Sequence, residues 1–205
     1  CLNQLWRAVL ADEAATGRQV KAIVLHDAED LVHPDSLEIH DRMIPALAMV
    51  QLPVLPLPDP QSRWVSGHYI DEFAQAHARD MMVCAALDAP VPSAVVGTAI
   101  AREAVVALER IWGEPFDATS LTEDYEIGHK LHRLGLPARM VRVRRGGALV
   151  ATREYFPADL EGAVRQKSRW LTGIALSGWD RLGWEGDWPS RWMLLRDRKG
   201  MFAAA

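Results

Sequence analysis

Three acidic side chains follow an apolar segment in the stretch VKAIVLHDAED, residues 20–30. Residues 23–25 read as a buried strand. Side chains two apart in an extended chain point the same way, so Asp27 and Glu29 can converge on one point, with Asp30 as a substitute or additional ligand. Paired carboxylates suit Mg²⁺ or Mn²⁺. Phosphate oxygens and water then complete the coordination shell of the cation. The alternative is a solvated polar loop without function.

A second acidic pair lies in the stretch LTEDYEIG, residues 121–128. Ser120 fits a capping box with Glu123, and Thr122 is an alternative cap. Glu123 and Asp124 are therefore expected in the first turn of a helix, where a carboxylate open to a cleft can accept a proton from an attacking hydroxyl. The helix dipole lowers a carboxylate pKa, so desolvation or Glu123 would have to raise the pKa of Asp124. The alternative is that both residues only stabilise the helix start.

The third group is in the stretch RQKSRWLT, residues 165–172. Gln166, Arg169 and Trp170 fall at positions i, i+3 and i+4, so they share one helix face. An arginine fork suits a diphosphate, a glutamine amide can bond sugar hydroxyls, and a tryptophan face can carry the apolar side of a sugar ring. The alternative is an exposed amphipathic helix with a half-buried tryptophan.

The segments that must position these residues alternate between helical and extended patterns. Helices are predicted at Leu2 to Ala15, Pro34 to about Ala48, His68 to Leu87 and Arg102 to Trp112. Extended segments are predicted at Met49 to Leu57, Val91 to Ala99 and Ala138 to Val143. A solvated hairpin tip at Arg142 to Gly147 is followed by another strand to about Thr152. Gly97 and Thr98 would end one strand, where a missing side chain lets a ligand approach the backbone. The alternation predicts an α/β fold.

Composition limits the class of protein. The chain has 205 residues, of which 49% are hydrophobic and 24% charged, with a net charge of -4, as in a soluble α/β domain with a full core. The absence of a basic surplus argues against nucleic-acid binding. Cys1 and Cys84 offer no disulfide framework, so a reduced cytoplasmic setting is expected. The chain begins with Cys rather than Met, so we expect a segment of a longer protein.

The last thirty or so residues have a different character from the rest. They interleave Trp179, Trp184, Trp188 and Trp192 with Arg181, Arg191, Arg196 and Arg198. Aromatic and basic residues mixed in this way suit a membrane interface, although they could equally pack against parts of the protein that this chain lacks. Gly200 to Ala205 then turn small and apolar, as when a cytoplasmic segment approaches a membrane helix. Residues 176–205 are therefore predicted to be an interface segment leading towards a membrane helix.

The three groups together carry a family resemblance. D-x-E at Asp27 to Glu29, T-E-D at Thr122 to Asp124 and Q-x-x-R-W at Gln166 to Trp170, in that order, resemble the processive membrane glycosyltransferases of family 2, the cellulose and hyaluronan synthase type. The stretches LHDAED, VPSAVVGTA, LTEDYEIG, REYFP and RQKSRW are similar to an inner-membrane branch of that family associated with cyclic di-GMP signalling. The resemblance covers nearly the whole chain. It departs at Glu29, where the family more commonly has Asp and the carboxylate therefore reaches one methylene further.

The resemblance implies a fold of the GT-A, Rossmann-like type, with a mixed sheet flanked by helices. It would make residues 1–175 a partial glycosyltransferase catalytic core, because the family's first strand and uridine contact would lie upstream of Cys1. It also implies a location at the bacterial inner membrane, with the catalytic domain in the cytoplasm. Membrane attachment would use segments outside this chain, and an outer-membrane export partner is expected.

The resemblance further implies an inverting transfer of sugar from a nucleotide diphosphate sugar, a UDP-sugar, to a glycan acceptor. Mg²⁺ or Mn²⁺ would be held by Asp27 and Glu29, and Asp124 would be the general base. The substrate-binding residues would be Gln166, Arg169 and Trp170, with Glu123, Gly97 and Thr98 shaping the acceptor side.

Two other hypotheses stay open at this point. A degenerate transferase fold could serve as a membrane scaffold or receptor component, with structural carboxylates. A metal-dependent nucleotidyltransferase would share the acidic strand end but would not require the Q-x-x-R-W helix.

Overall fold

Helices surround a small mixed sheet in the computed structural model, which describes residues 2–184 and 186–199. Over these residues the α-helices are α1 Leu2–Thr16, α2 Ser36–Met43, α3 Arg63–Gln75, α4 Met81–Ala86, α5 Arg102–Trp112, α6 Glu123–Arg133, α7 Leu160–Leu171, α8 Gly178–Leu182 and α9 Trp188–Arg198. The strands are β1 Ala22–Leu25, β2 Met49–Gln51, β3 Val54–Pro56, β4 Thr98–Ala101, β5 Ala138–Met140, β6 Arg144–Arg145, β7 Ala148–Leu149 and β8 Thr152–Glu154. Two π-helical segments, Ala76–Asp80 and Thr172–Ser177, connect α3 to α4 and α7 to α8. The predicted α/β class is confirmed.

The main sheet brings several strand ends to one edge. Its order is β1-β4-β2-β5, with β4 antiparallel to β1 and β2, and with β2 parallel to β5. Leu25 at the end of β1 and Gln51 at the end of β2 both pair with Thr98 at the start of β4. Strands β3 and β8 form a separate parallel pair, and Leu31 bridges to Arg153 of β8. The acidic loop after β1 is therefore tied to the end of β8.

Successive side chains of the central strands point to opposite faces of the sheet, so each face packs into its own apolar cluster. Met49 and Ile100 pack in the larger cluster with buried side chains of α1, α5, α6 and α9. Their chain neighbours Val50 and Ala99 pack in the smaller cluster with Ile39 of α2. The helix that begins at the T-E-D motif and the last described helix thus share one core.

The strand expected from Val91 to Ala99 is wrong over most of its length. Only Thr98 and Ala99 are in β4, so Gly97 and Thr98 lie at the start of a strand rather than at its end. Pro92 cannot donate to a ladder, and Val95 and Gly97 have positive φ angles of 62° and 70°. A Cβ on Gly97 would lie 2.7 Å from Thr152 Oγ1. The missing side chain therefore makes room for β8.

Other predicted boundaries shift for local reasons. The helix expected to reach Ala48 ends at Met43, because Pro45 has no N–H with which to extend the helical ladder. The segment from Met49 to Leu57 splits into β2 and β3, which belong to different sheets. The helix expected from His68 to Leu87 begins earlier and is interrupted by a π-helical turn. The hairpin tip is confirmed, because β6 and β7 form an antiparallel pair.

Gly128→Ala is expected to destabilise the fold. A Cβ at Gly128 of α6 would lie 1.9 Å from the Val91 carbonyl oxygen, and backbone cannot move aside as a flexible side chain can. We expect a loss of about 3 kcal/mol or more in the free energy of unfolding, measured by chemical denaturation. Gly67→Ala in α3 is the matched control, because its Cβ meets nothing within 4 Å. That change should stabilise by about 0.5–1 kcal/mol, and equal effects of the two changes would contradict the packing described.

Candidate active site

A cleft of about 600 Å³ gathers most of the residues singled out in the sequence. From the three motifs it is lined by Asp27, Glu123, Asp124, Gln166, Arg169 and Trp170. These residues come from the loop after β1, the start of α6 and the end of α7. Groups separated by more than a hundred residues in the chain therefore face one space, as a shared substrate site requires.

The loop after β1 presents Asp27 and folds Asp30 inwards. Asp27 is exposed, whereas the side chain of Asp30 is only 1% exposed. Asp30 Oδ2 accepts a hydrogen bond from the Asp27 backbone N–H at 3.0 Å and lies 2.9 Å from His26 Nδ1. Glu29 is exposed and, like Asp30, lies outside the cleft lining in the described part of the chain. The geometry therefore gives Asp30 a role in shaping the turn that presents Asp27.

Glu154, at the end of β8, is a cleft residue that the sequence reasoning missed. Burial and then the negative charges of Asp30, Asp27 and Glu29 raise its pKa to about 7. Burial, followed by the charges of Asp30 and Glu29, also raises the pKa of Asp27. The only sequence signal for Glu154 was its place in REYFP after an extended segment. Its proximity to the acidic loop depends on the bridge between that loop and β8.

The carboxylates fit a divalent cation that a substrate helps to bind. Within residues 2–184 and 186–199, no three His, Cys, Asp or Glu side chains form a group that could hold a metal ion by themselves. Asp27 and Glu154 nevertheless line one cleft, and the charge of Asp27 helps to raise the pKa of Glu154. Mg²⁺ is commonly held by one or two carboxylates, with substrate phosphates and water completing its shell. The donor set therefore suits a cation that arrives with a diphosphate.

The Asp124 carboxylate lies at the start of a helix and faces the cleft. It lies in the first turn of α6, after the N-cap Thr122, as predicted. Burial raises its pKa to about 6, and the charge of Glu123 adds to the rise, while backbone N–H groups at the helix start oppose it. The predicted capping box is wrong, because Ser120 Oγ instead donates to Glu126 Oε1 at 2.7 Å. The N-cap Thr122 makes no side-chain hydrogen bond to the helix start, and Asp124 lines the cleft.

Arg169 supplies positive charge between the two acidic groups. Burial raises the pKa of both Asp27 and Asp124, and the charge of Arg169 opposes that rise at both. Its Nη1 donates to the Leu121 carbonyl at 3.2 Å, which ties α7 to the segment before α6. The guanidinium is exposed, so it can also meet an anionic ligand in the cleft.

Gln166 and Trp170 lie in an aromatic wall that the motif alone does not predict. Gln166 Oε1 accepts a hydrogen bond from the Tyr69 hydroxyl at 2.6 Å. The ring centroids of Tyr69, Phe73 and Phe156 lie 6.3–6.5 Å from that of Trp170. Aromatic edges hold the indole in place, and such a wall suits the apolar face of a sugar ring.

Gly97 and Thr98 lie beneath the cleft. Both are buried, and Thr98 Oγ1 donates to Gln51 Oε1 at 2.6 Å. The wall above them is formed by the segment that precedes them, Pro92, Ser93, Ala94, Val95 and Val96. In the described structure these two predicted acceptor-side residues therefore support the cleft wall without lining it.

Comparison with known proteins identifies the family of the chain. The model of a family described as "Glycosyl transferase family group 2" matches residues 22–204. The chain belongs to this glycosyltransferase family. The predicted family and fold type are thereby confirmed, and the T-E-D and Q-x-x-R-W groups lie inside the matched range.

Two relatives show which kind of family 2 protein it is similar to. They are "Bacteriophage adsorption protein B" of Escherichia coli (strain K12) and "Bacteriophage N4 adsorption protein B" of Escherichia coli O157:H7. Each is 36% identical over 218 aligned residues, covering 98% of this chain. The chain spans 29% of the length of each relative.

The tail of this family 2 domain packs on its body. Met193 and Leu194 of α9 are buried, and Arg196 and Asp197 line the cleft. Trp188 is 72% exposed, so parts of the segment do face solvent. None of the helices in the described stretches is long and apolar enough to span a membrane. The apolar run from Gly200 to Ala205 lies outside the described residues, and the interface role of residues 176–205 stays a prediction.

Proposed function

We propose that this family 2 domain catalyses inverting transfer of a sugar from a nucleotide diphosphate sugar, a UDP-sugar, to a hydroxyl group of a glycan acceptor. The observation that carries the proposal is that Asp27, Asp124 and Arg169 line one cleft, in which burial raises the pKa of Asp124 to about 6. A carboxylate with that pKa is ionised at neutral pH yet basic enough to take a proton in a transition state. It faces the same cleft as Arg169 and Asp27.

Each residue has a separate role in the proposed reaction. Asp124 accepts the proton of the acceptor hydroxyl, whose oxygen forms a bond to the anomeric carbon from the side opposite the diphosphate. The bond from that carbon to the diphosphate oxygen breaks, and the nucleoside diphosphate leaves with the electron pair. Arg169 stabilises the charge that develops on it. Gln166 and Trp170 orient a sugar against the aromatic wall, with Glu123 on the acceptor side.

A divalent cation, Mg²⁺ or Mn²⁺, is part of the proposal. Asp27 would hold it, with Glu154 facing the same space and Glu29 on the adjoining turn. When bound, it would neutralise diphosphate charge. The resemblance extends the proposal to the whole protein: an inner-membrane location with a cytoplasmic catalytic domain, control by cyclic di-GMP and an outer-membrane export partner.

The pH dependence of turnover tests the assignment of the base. Because only ionised Asp124 can accept a proton, kcat should rise as the pH increases through about 6 and then level off. The measurement is the initial rate at saturating UDP-sugar and Mn²⁺ between pH 5 and pH 8, with cell membranes retained and several UDP-sugars screened.

Asp124→Asn is the control for that profile. Its residual rate should lack the limb near pH 6. The rival function, a degenerate fold kept as a scaffold, is suggested by the names of the two relatives as adsorption proteins. Absence of turnover with every donor, together with an unchanged cellular phenotype in Asp124→Asn, would overturn the proposal in favour of the scaffold.

A further inference from the structure

The last described helix contributes an ion-pair network to the wall of the cleft. The Asp197 carboxylate accepts a hydrogen bond from the Tyr125 hydroxyl at 2.8 Å on Oδ2. Its Oδ1 accepts two from Arg196, at 2.9 Å from Nε and 2.7 Å from Nη2. Arg196 Nη1 lies 3.4 Å from Asp80 Oδ2 in the first π-helical segment. Three elements that are distant in the chain, α6, α9 and the π-helical turn, are thus joined at one point.

Helix α9 is itself held firmly against the protein. Asp187 caps its start and accepts a hydrogen bond from the Ser190 N–H at 3.0 Å. Near its end, the Arg198 guanidinium lies 4.4 Å from the centroid of the Trp179 ring, and its Nη2 donates to the Gly178 carbonyl at 3.0 Å. The buried Met193 lies between these ends and belongs to the larger apolar cluster. Asp197 is therefore a fixed partner for Tyr125.

Tyr125 follows the proposed base, Asp124, in the chain, and few other groups contribute to the orientation of the Asp124 carboxylate. In the described residues no side-chain hydrogen bond acts on the Asp124 carboxylate, and the donors that lower its pKa are backbone N–H groups at the start of α6. Its direction therefore depends on how the first turn of α6 is seated. Tyr125, 5% exposed, links that turn to α9 through its hydroxyl group. A hydrogen bond to a carboxylate is stronger than one between two neutral groups, because the acceptor is charged.

We propose that Asp197, supported by Arg196, is a positioning residue that holds the first turn of α6 and so orients Asp124 towards the acceptor hydroxyl. This inference rests on the proposed function, because it assigns Asp197 a part in the same reaction. The segment predicted from sequence to be a membrane interface thereby completes the active site. Displacement of α9 would misdirect the base without touching the groups that bind the donor diphosphate.

The proposal differs measurably from a purely structural role. An ion pair that only stabilises the fold would lower the unfolding temperature when broken, but would leave kcat unchanged wherever the protein is folded. A positioning role lowers kcat under those conditions and leaves KM for the UDP-sugar close to the wild-type value. A displacement of about 1 Å at a reacting group can cost roughly 100-fold in rate.

The test uses Tyr125→Phe, Asp197→Asn and the double variant in the protein as cells make it, with membranes retained. Each single change should lower kcat about 10- to 100-fold with KM for the UDP-sugar within about twofold. The double variant should be no slower than the slower single variant, because both changes break one link. Tyr155→Phe and Asp180→Asn, at exposed positions, are the matched controls and should behave as wild type.

The outcomes distinguish failure of the positioning role from failure of the proposed function. Wild-type kcat in Tyr125→Phe, or effects of the two changes that multiply in the double variant, would overturn the positioning role. If Asp197→Asn fails to fold, Tyr125→Phe still decides, since it retains the ring and loses only the hydroxyl. If Asp124→Asn keeps full turnover, the proposed function itself has failed. If Asp124→Asn is inactive while Tyr125→Phe is fully active, only the positioning role is lost.

Discussion

Asp124→Asn is expected to lower the rate of sugar transfer about 100- to 10,000-fold, the usual contribution of a general base. An amide of the same shape cannot accept the acceptor's proton, while the Glu123 and Arg169 groups beside the site remain in place. The change should appear in kcat and leave KM for the UDP-sugar nearly unaltered. Initial rates at saturating acceptor measure it, and Asp180→Asn at an exposed position is the matched control.

The same substitution should stabilise the fold at neutral pH. Burial raises the pKa of Asp124 from its ordinary value to about 6, so the folded protein disfavours the ionised form. That cost is absent well below pH 4, where the carboxyl is neutral in both states, grows as the pH rises and is complete well above pH 6. At about 1.4 kcal/mol per pKa unit, Asn should add at most about 3 kcal/mol to the free energy of unfolding at pH 8.

Thermal unfolding at pH 4 and pH 8 measures this second effect. Most of the gain in unfolding temperature at pH 8 should be lost at pH 4. An inactive variant that is also less stable at pH 8 would show that Asp124 stabilises the fold. That result would contradict a base whose ionised form is disfavoured by burial.

Asp27→Asn is expected to lower turnover about 100-fold at fixed Mn²⁺ and to raise the Mn²⁺ concentration needed for half-maximal rate. Asp27 is the exposed carboxylate of its loop that lines the cleft. Removing its charge should also lower the pKa of Glu154, because that charge, after burial and Asp30, helps to raise it. A titration of rate against Mn²⁺ concentration measures the first effect.

Asp30→Asn is the informative comparison for Asp27→Asn. Asp30 holds the turn through the Asp27 N–H and His26. Its loss should reduce thermal stability as well as rate, whereas Asp27→Asn should leave stability unchanged or higher. Equal Mn²⁺ requirements in Asp27→Asn and wild type would contradict the assignment of Asp27 to the cation.

The local parts of the site could be predicted from the sequence. Short-range sequence patterns predict a strand followed by Asp27, a helix that starts at Glu123 and a shared helix face for Gln166 and Trp170. These rest on side-chain direction and helix capping, which neighbouring residues determine. The need for burial to raise the pKa of Asp124 was likewise predictable, because the helix start alone would lower it.

Long-range contacts account for what the sequence did not show. Glu154 joins the acidic loop only because β8 pairs with β3 and Leu31 bridges to Arg153. Asp197 reaches Tyr125 because α9 folds back onto the larger apolar cluster. Gly97 suggested ligand approach, yet the space it leaves is taken by Thr152. In each case the decisive partner lies far away in the chain.

The most direct measurement is the identity of the phosphorus-containing product formed from a UDP-sugar. Transfer to a glycan should release UDP in a one-to-one ratio with new glycosidic bonds, at an anomeric carbon of inverted configuration, and Asp124→Asn should release almost none. Release of UMP or of sugar 1-phosphate instead would identify a different transfer reaction. That result, or UDP release that persists in Asp124→Asn, would contradict an inverting glycosyltransferase with Asp124 as its base.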